Sequence, residues 1–190
     1  MANTIIRIAA FACLALAGCT TAPSLSPGSK YVAMGSSFAA GPGIPTYVDA
    51  TPAPCMRSDA NYAHQLAKRK GLALVDVSCS GGTTLHLTGP RNTIPPQLDA
   101  VDADTRLVTI TIGGNDVSYI GRLTAASCAG LALVSSAAAA CNPIPQAPTE
   151  QTYADLATRM DHIAKDVRRR APSARLIFVD YLAVLPAKGT

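Results

Sequence analysis

Arg106-Leu107-Val108-Thr109-Ile110-Thr111-Ile112-Gly113-Gly114-Asn115-Asp116 reads as a buried strand that runs into a polar turn. From Leu107 to Ile112 every residue but the first is β-branched and none is charged. That composition suits a central strand of a parallel sheet, covered on both faces. Two other apolar runs end the same way. Tyr31-Val32-Ala33-Met34 leads into Gly35-Ser36-Ser37-Phe38-Ala39-Ala40-Gly41, and the run from Leu72 to Val77 leads into Ser78-Cys79-Ser80-Gly81-Gly82. Arg175 to Val179 is a fourth strand candidate. Between the strands lie helical patterns. Ser58 to Lys70 is closed by Gly71, and Thr149 to Arg170 carries the stripe Tyr153, Leu156, Met160, Ile163 and Val167 ahead of Pro172. Strands alternating with amphipathic helices predict an α/β fold with a parallel sheet covered on both sides.

The chain opens with a stretch that does not belong to this pattern. Arg7 is the only charge in the first eighteen residues, the run from Ile8 to Leu16 is apolar, and Leu16-Ala17-Gly18-Cys19 follows. This is the pattern of a secretory signal over 1–18, too short to span a bilayer comfortably. Its last four residues match the bacterial lipoprotein box, so Cys19 is expected to carry lipid and become the new N-terminus. Thr20 beside it resembles lipoproteins of the Gram-negative outer membrane. Residues 19–29 are expected to be a tether, and 30–190 the folded domain.

Of the six cysteines, Cys13 leaves with the leader and Cys19 carries the lipid. Cys55, Cys79, Cys128 and Cys141 can pair in three ways. The pairs Cys55–Cys79 and Cys128–Cys141 keep each closed loop local and are the expected ones. No Cys-x-x-Cys or His-x-x-x-His spacing points to a metal site, and no cofactor is implied. The net charge of +4 is small. Arg168-Arg169-Arg170 ends a helix, where cations complement the dipole, and aromatic interleaving is sparse, which argues against nucleic-acid binding. A dinucleotide fold is a poor match because no Gly-x-Gly-x-x-Gly follows the first strand. The Ala/Ser-rich stretch from Leu123 to Pro148 is either a wall of a substrate pocket or a surface insertion clipped by a disulfide.

Three polar stations at three strand ends suggest one site. A serine on a glycine turn at a strand end presents its hydroxyl, although any one such motif is more often a turn or a helix cap. The order of the three makes the difference. Tyr31 to Gly41 resembles the first block of the SGNH (GDSL-type) hydrolases, Ser78 to Thr84 the second, and Thr111 to Asp116 the third. The resemblance covers roughly Lys30 to Asp180 and is nearest to secreted bacterial lipases and esterases, whose early cysteines pair as expected for Cys55 and Cys79. It implies a flavodoxin-like three-layer α/β/α domain and hydrolysis of carboxylic esters. It makes Ser37 the nucleophile. The N–H groups of Ser37 and Gly81 and the side-chain amide of Asn115 become the oxyanion hole.

Two departures from the family accompany this resemblance. Ser36 stands where the family has an Asp that braces the nucleophile loop, and serine is expected to cap the short helix instead. The family's Asp-x-x-His is missing, since no Asp here has His three residues later. His64 and His162 are expected to face solvent. His86, five residues past Gly81, is the remaining candidate base. The absence is expected to reflect a C-terminally incomplete domain that lacks its last strand. The leading expectation is a lipid-anchored, exported ester hydrolase acting on a small ester or lipid. The rival is an inactive envelope lipoprotein that binds acylated or glycan ligands.

Overall fold

A computed structural model of the chain describes residues 24–48, 52–132, 141 and 143–182. The expected leader over 1–18 and the lipidation site Cys19 lie outside the described residues. Four strands make one sheet: β1 (Lys30–Gly35), β2 (Ala73–Asp76), β3 (Thr105–Thr111) and β4 (Arg175–Phe178). All their pairings are parallel, in the order β2-β1-β3-β4. This is the order in which a flavodoxin-like sheet begins. Ala33 pairs with both Asp76 and Thr109, so β1, β2 and β3 end along one rim.

Period-two alternation builds the two faces. Val32 and Met34 of β1 join Val108 and Ile110 of β3 in a core covered by Ile163 and Val167 of α5 (Glu150–Arg170). On the other face, Tyr31, Ala33 and Leu107 pack against Ala63 and Ala67 of α2 (Tyr62–Lys70). Polar groups of β3 on that second face are paired. Tyr31 Oη lies 2.7 Å from Thr109 Oγ1, and Tyr62 Oη lies 3.2 Å from Thr111 Oγ1. Burial pushes both phenols up from their ordinary pKa, because a phenolate there would be poorly solvated.

The helices follow their caps. α5 starts after Thr149, whose hydroxyl accepts from Thr152 N–H, and whose own N–H donates to Thr152 Oγ1 at 3.1 Å. Of its expected stripe, Ile163 and Val167 are buried, but Tyr153 is exposed. α2 begins four residues later than the pattern predicts. Asn61 Oδ1 accepts from His64 N–H and fixes the start, while Ser58 N–H donates to Ala40 O and belongs to the preceding turn. The expected tether also docks at its end. Leu25 packs on the second core, and Gly28 N–H donates to Gly71 O at 2.7 Å.

Both disulfides expected from the sequence are formed, Cys55–Cys79 and Cys128–Cys141. The first joins a 3₁₀ turn (Ala53–Cys55) to the loop after β2. The second leaves α4 (Tyr119–Ala132), which follows the loop after β3. Among the described residues no helix is long and apolar enough to cross a membrane.

Candidate active site

The rim where β1, β2 and β3 end is also where the sheet order switches direction, and open α/β sheets form ligand crevices at such points. Gly35 closes β1 with φ +141°, and a Cβ there would stand 2.3 Å from Thr111 O. Only glycine fits so tight an approach between neighbouring strands. Both backbone polar groups of Gly35 are held by Gln97, whose Oε1 accepts from Gly35 N–H at 2.7 Å and whose Nε2 donates to Gly35 O at 3.0 Å. Ser37 then opens the one-turn helix α1 (Ser37–Ala40). It is half-buried, and among the described residues its hydroxyl and its N–H have no protein partner.

Ser36 corrects one expectation. It occupies the position before α1 but makes no side-chain cap bond. Its buried hydroxyl points instead to Thr111 O at 3.5 Å and Tyr181 Oη at 3.1 Å. The N–H groups of Ala39 and Ala40 donate to the Ser36 carbonyl instead, and its side chain is left for the neighbouring strand and Tyr181.

The second loop brings Gly81 to this rim with φ +77°. A Cβ at Gly81 would meet Arg91 Nη2 at 2.9 Å, and Arg91 itself donates to Ser80 O and so holds the loop's outer side. The third loop carries Asn115, whose Nδ2 donates to Gly82 O at 2.7 Å. This bond joins the second and third motifs directly. Asp116 strengthens the junction: its side chain is 3% exposed, and it accepts from Thr84 N–H at 3.0 Å and from the Thr84 hydroxyl at 2.5 Å. Arg159 of α5 lies 3.7 Å from the same carboxylate and donates from Nε to Thr84 Oγ1 at 2.9 Å. The buried carboxylate thus meets donors from two segments and fixes the loop that supplies them.

The histidines are placed differently from one another. His162 is exposed, as the helix pattern predicts. His64 is not simply solvated: its Nδ1 lies 3.1 Å from Asn61 Oδ1 and 3.7 Å from Asp76 Oδ2. His86 lies on α3 (Leu85–Thr88), where Nδ1 accepts from Thr83 N–H at 3.0 Å. Its ring thus serves the start of its own helix, and among the described residues no hydrogen bond joins it to Ser37.

The stretch from Leu123 to Pro148 supplies part of a wall. A cavity of about 490 Å³ lies between α4 and the strap before α5, lined by Val117, Tyr119, Leu123, Ala126, Ala147, Pro148 and Tyr153 with Arg122. It shares Val117 and Tyr119 with a cavity of about 240 Å³ that reaches Gly113, Gly114 and Tyr181. Tyr153 is exposed because it faces this space rather than the core. Gln97, Arg159 and Tyr181 carry no local motif, and their roles become visible only when distant segments meet. Among the described residues no group of His, Cys, Asp and Glu is arranged to hold a metal ion.

Comparison with known proteins finds relatives by sequence and by fold. The model of the GDSL-like lipase/acylhydrolase family matches residues 33–190. Lipase 2 of Streptomyces coelicolor is 35% identical over 164 residues, which is 85% of this chain and 55% of that protein. A lipase of Streptomyces rimosus is 29% identical over 181 residues, 95% of this chain and 62% of the relative. The chain therefore spans somewhat over half the length of these curated relatives. Among solved structures, the extracellular lipase of Streptomyces rimosus aligns with a TM-score of 0.63 at 27% identity, covering 86% of this chain and 64% of that one. Phospholipase A1 of Streptomyces albidoflavus aligns equally well, at 28% identity with the same coverage.

Proposed function

We propose a function from one premise: the chain belongs to the GDSL-like lipase/acylhydrolase family, whose model matches residues 33–190. Its reaction is the hydrolysis of carboxylic esters through a Ser37 acyl-enzyme. The Ser37 hydroxyl attacks the ester carbonyl carbon and gives its proton to a base. The carbonyl oxygen becomes an oxyanion that accepts from Ser37 N–H, Gly81 N–H and Asn115 Nδ2. Collapse of this intermediate expels the alcohol, and water then releases the acid. Fixed N–H donors cost no reorganisation as the charge develops, which is why glycine at 81 and a neutral amide at 115 suit the task. Asn115 has two amide hydrogens. One holds Gly82 O, which leaves the other for the oxyanion.

The observation that carries this reading is the meeting of three separated motifs at one rim, with Asn115 bonded to the loop of Gly81 and Gly82. The small apolar cavities beside it suit an acyl group. The base is the open role. His86, whose Nδ1 is engaged by Thr83, is the candidate for it. Export, with lipid on Cys19 holding the protein at the cell envelope, is supported by Leu16-Ala17-Gly18-Cys19 and by the extracellular origin of one relative.

A fluorophosphonate probe tests the reading. Full-length protein is expected to be labelled at Ser37, with labelling lost in Ser37→Ala. Labelling that also disappears in His86→Ala makes His86 the base, and labelling that survives places the base elsewhere. An unlabelled full-length protein overturns the hydrolase reading in favour of an acyl- or glycan-binding envelope module.

A further inference from the structure

Tyr181 lies beyond β4, outside all three motifs, yet it touches both neighbours of the proposed nucleophile and the loop after β3. Its ring meets Phe38, the residue after Ser37, edge-on at a centroid distance of 4.6 Å. Its hydroxyl lies 3.1 Å from Oγ of Ser36, the residue before Ser37. Gly114, the residue before Asn115, donates its N–H to the same hydroxyl at 3.0 Å. Gly114 accommodates this approach because it lacks a side chain: a Cβ there would stand 2.8 Å from the Tyr181 ring.

The proton directions are consistent along the whole path. Gly114 N–H fills one lone pair of Tyr181 Oη. With Ser36 Oγ directed at Thr111 O, 3.5 Å away, the Tyr181 hydroxyl is free to donate to Ser36 Oγ at 3.1 Å. The resulting line runs from Gly114 N–H through Tyr181 and Ser36 to Thr111 O. It ties the third loop, the nucleophile loop and the end of β3 into one unit. The family resemblance puts an aspartate at position 36, a longer acceptor than serine. Here the Tyr181 hydroxyl stands between the two segments, 3.1 Å from Ser36 Oγ and 3.0 Å from Gly114 N.

We propose that Tyr181 is a positioning residue whose hydroxyl, clasped between Gly114 N–H and Ser36 Oγ, sets the nucleophile loop against the loop that carries Asn115. The proposal builds on Ser37 as nucleophile and Asn115 as oxyanion donor, but the clasp itself is a statement about geometry. Tyr181→Phe keeps the ring against Phe38 and removes only the hydroxyl. Ser36→Asp restores an acceptor one bond longer, able to take Gly114 N–H without the tyrosine.

The test uses full-length protein with two readouts. In Tyr181→Phe, the Gly114 amide is expected to exchange with deuterium at least tenfold faster. On a p-nitrophenyl ester, kcat is expected to fall about tenfold with KM unchanged within twofold. In Ser36→Asp/Tyr181→Phe, kcat is expected to return to within threefold of wild type. An unchanged kcat and unchanged Gly114 exchange in Tyr181→Phe overturn the proposal, as does a double variant no better than the single one. If wild-type protein neither hydrolyses esters nor labels at Ser37, the hydrolase reading fails by itself. Gly114 exchange then decides the clasp: retained protection in Tyr181→Phe overturns it, and lost protection supports it.

Discussion

Asn115 holds one bond in the structure and is proposed to make a second to the oxyanion, and the first explains why an aspartate would not serve. Nδ2 holds Gly82 O at 2.7 Å, so the nitrogen must donate; an aspartate would set lone pairs against that carbonyl. Asn115→Ala removes a proposed oxyanion donor and the tie to the Gly82 loop together. Loss of one such donor lowers kcat by about 10²–10³. The expected result is a kcat fall of at least that size, measured on a p-nitrophenyl ester with full-length protein. A fall of less than about fivefold removes Asn115 from the oxyanion hole, since the donor scale leaves no room for so small an effect. The meeting of Asn115 with the Gly81-Gly82 loop was legible in the sequence, because glycine turns keep both within a few positions of a strand end. Gln97 was not legible: it reaches Gly35 across 62 positions, and nothing in Pro95-Pro96-Gln97 signals that contact. Tyr181 was hidden for the same reason, acting across 145 positions on Ser36. Ser36 was misread because serine before a helix usually caps it, and here a buried acceptor on β3 competes successfully.

At the scale of elements, the contact of β1 with β3 decides how closely the first and third motifs approach. Ser36 N–H donates to Thr111 O at 2.9 Å, and that same carbonyl would stand 2.3 Å from a Cβ at Gly35. The carbonyl belongs to a ladder and cannot retreat without breaking it. Gly35→Ala therefore combines a left-handed backbone with a main-chain clash and is expected to lose more than about 3 kcal/mol. Gly43 offers the control, with φ +84° and nothing within 4 Å of its would-be Cβ. Gly43→Ala is expected to lose only about 1 kcal/mol from backbone conformation. Urea unfolding of the two variants checks the contrast, and equal losses would show that the β1–β3 approach is looser than described. The strands themselves were readable within a residue or two from their apolar runs. The start of α2 was not, because Asn61 takes the cap and Ser58 is drawn into a bond with Ala40 O. Burial of both faces of β3 followed from its unbroken uncharged run, whereas the exposure of Tyr153 depends on a cavity that no periodicity encodes.

For the whole molecule, the two disulfides close loops of similar size but hold different parts of the structure. Cys55–Cys79 spans 24 positions and Cys128–Cys141 spans 13. Chain entropy gives each about 3 kcal/mol, so each should raise Tm comparably. Their positions separate them. Cys79 lies two residues before Gly81, and Ser80 N–H donates to Cys55 O at 3.1 Å, so the first bridge anchors the loop that supplies a proposed oxyanion donor. The second bridge leaves α4 and joins none of the three loops that carry the proposed site. Cys55→Ala/Cys79→Ala is expected to lower Tm by about 10 °C and to slow fluorophosphonate labelling of Ser37 as well. Cys128→Ala/Cys141→Ala is expected to lower Tm by a similar amount with labelling by a small probe unchanged. Melting curves and labelling rates, measured well below either Tm, read the two effects apart. Equal slowing of labelling in both variants would mean that general loosening of the fold, rather than placement of Gly81, governs the nucleophile's reactivity.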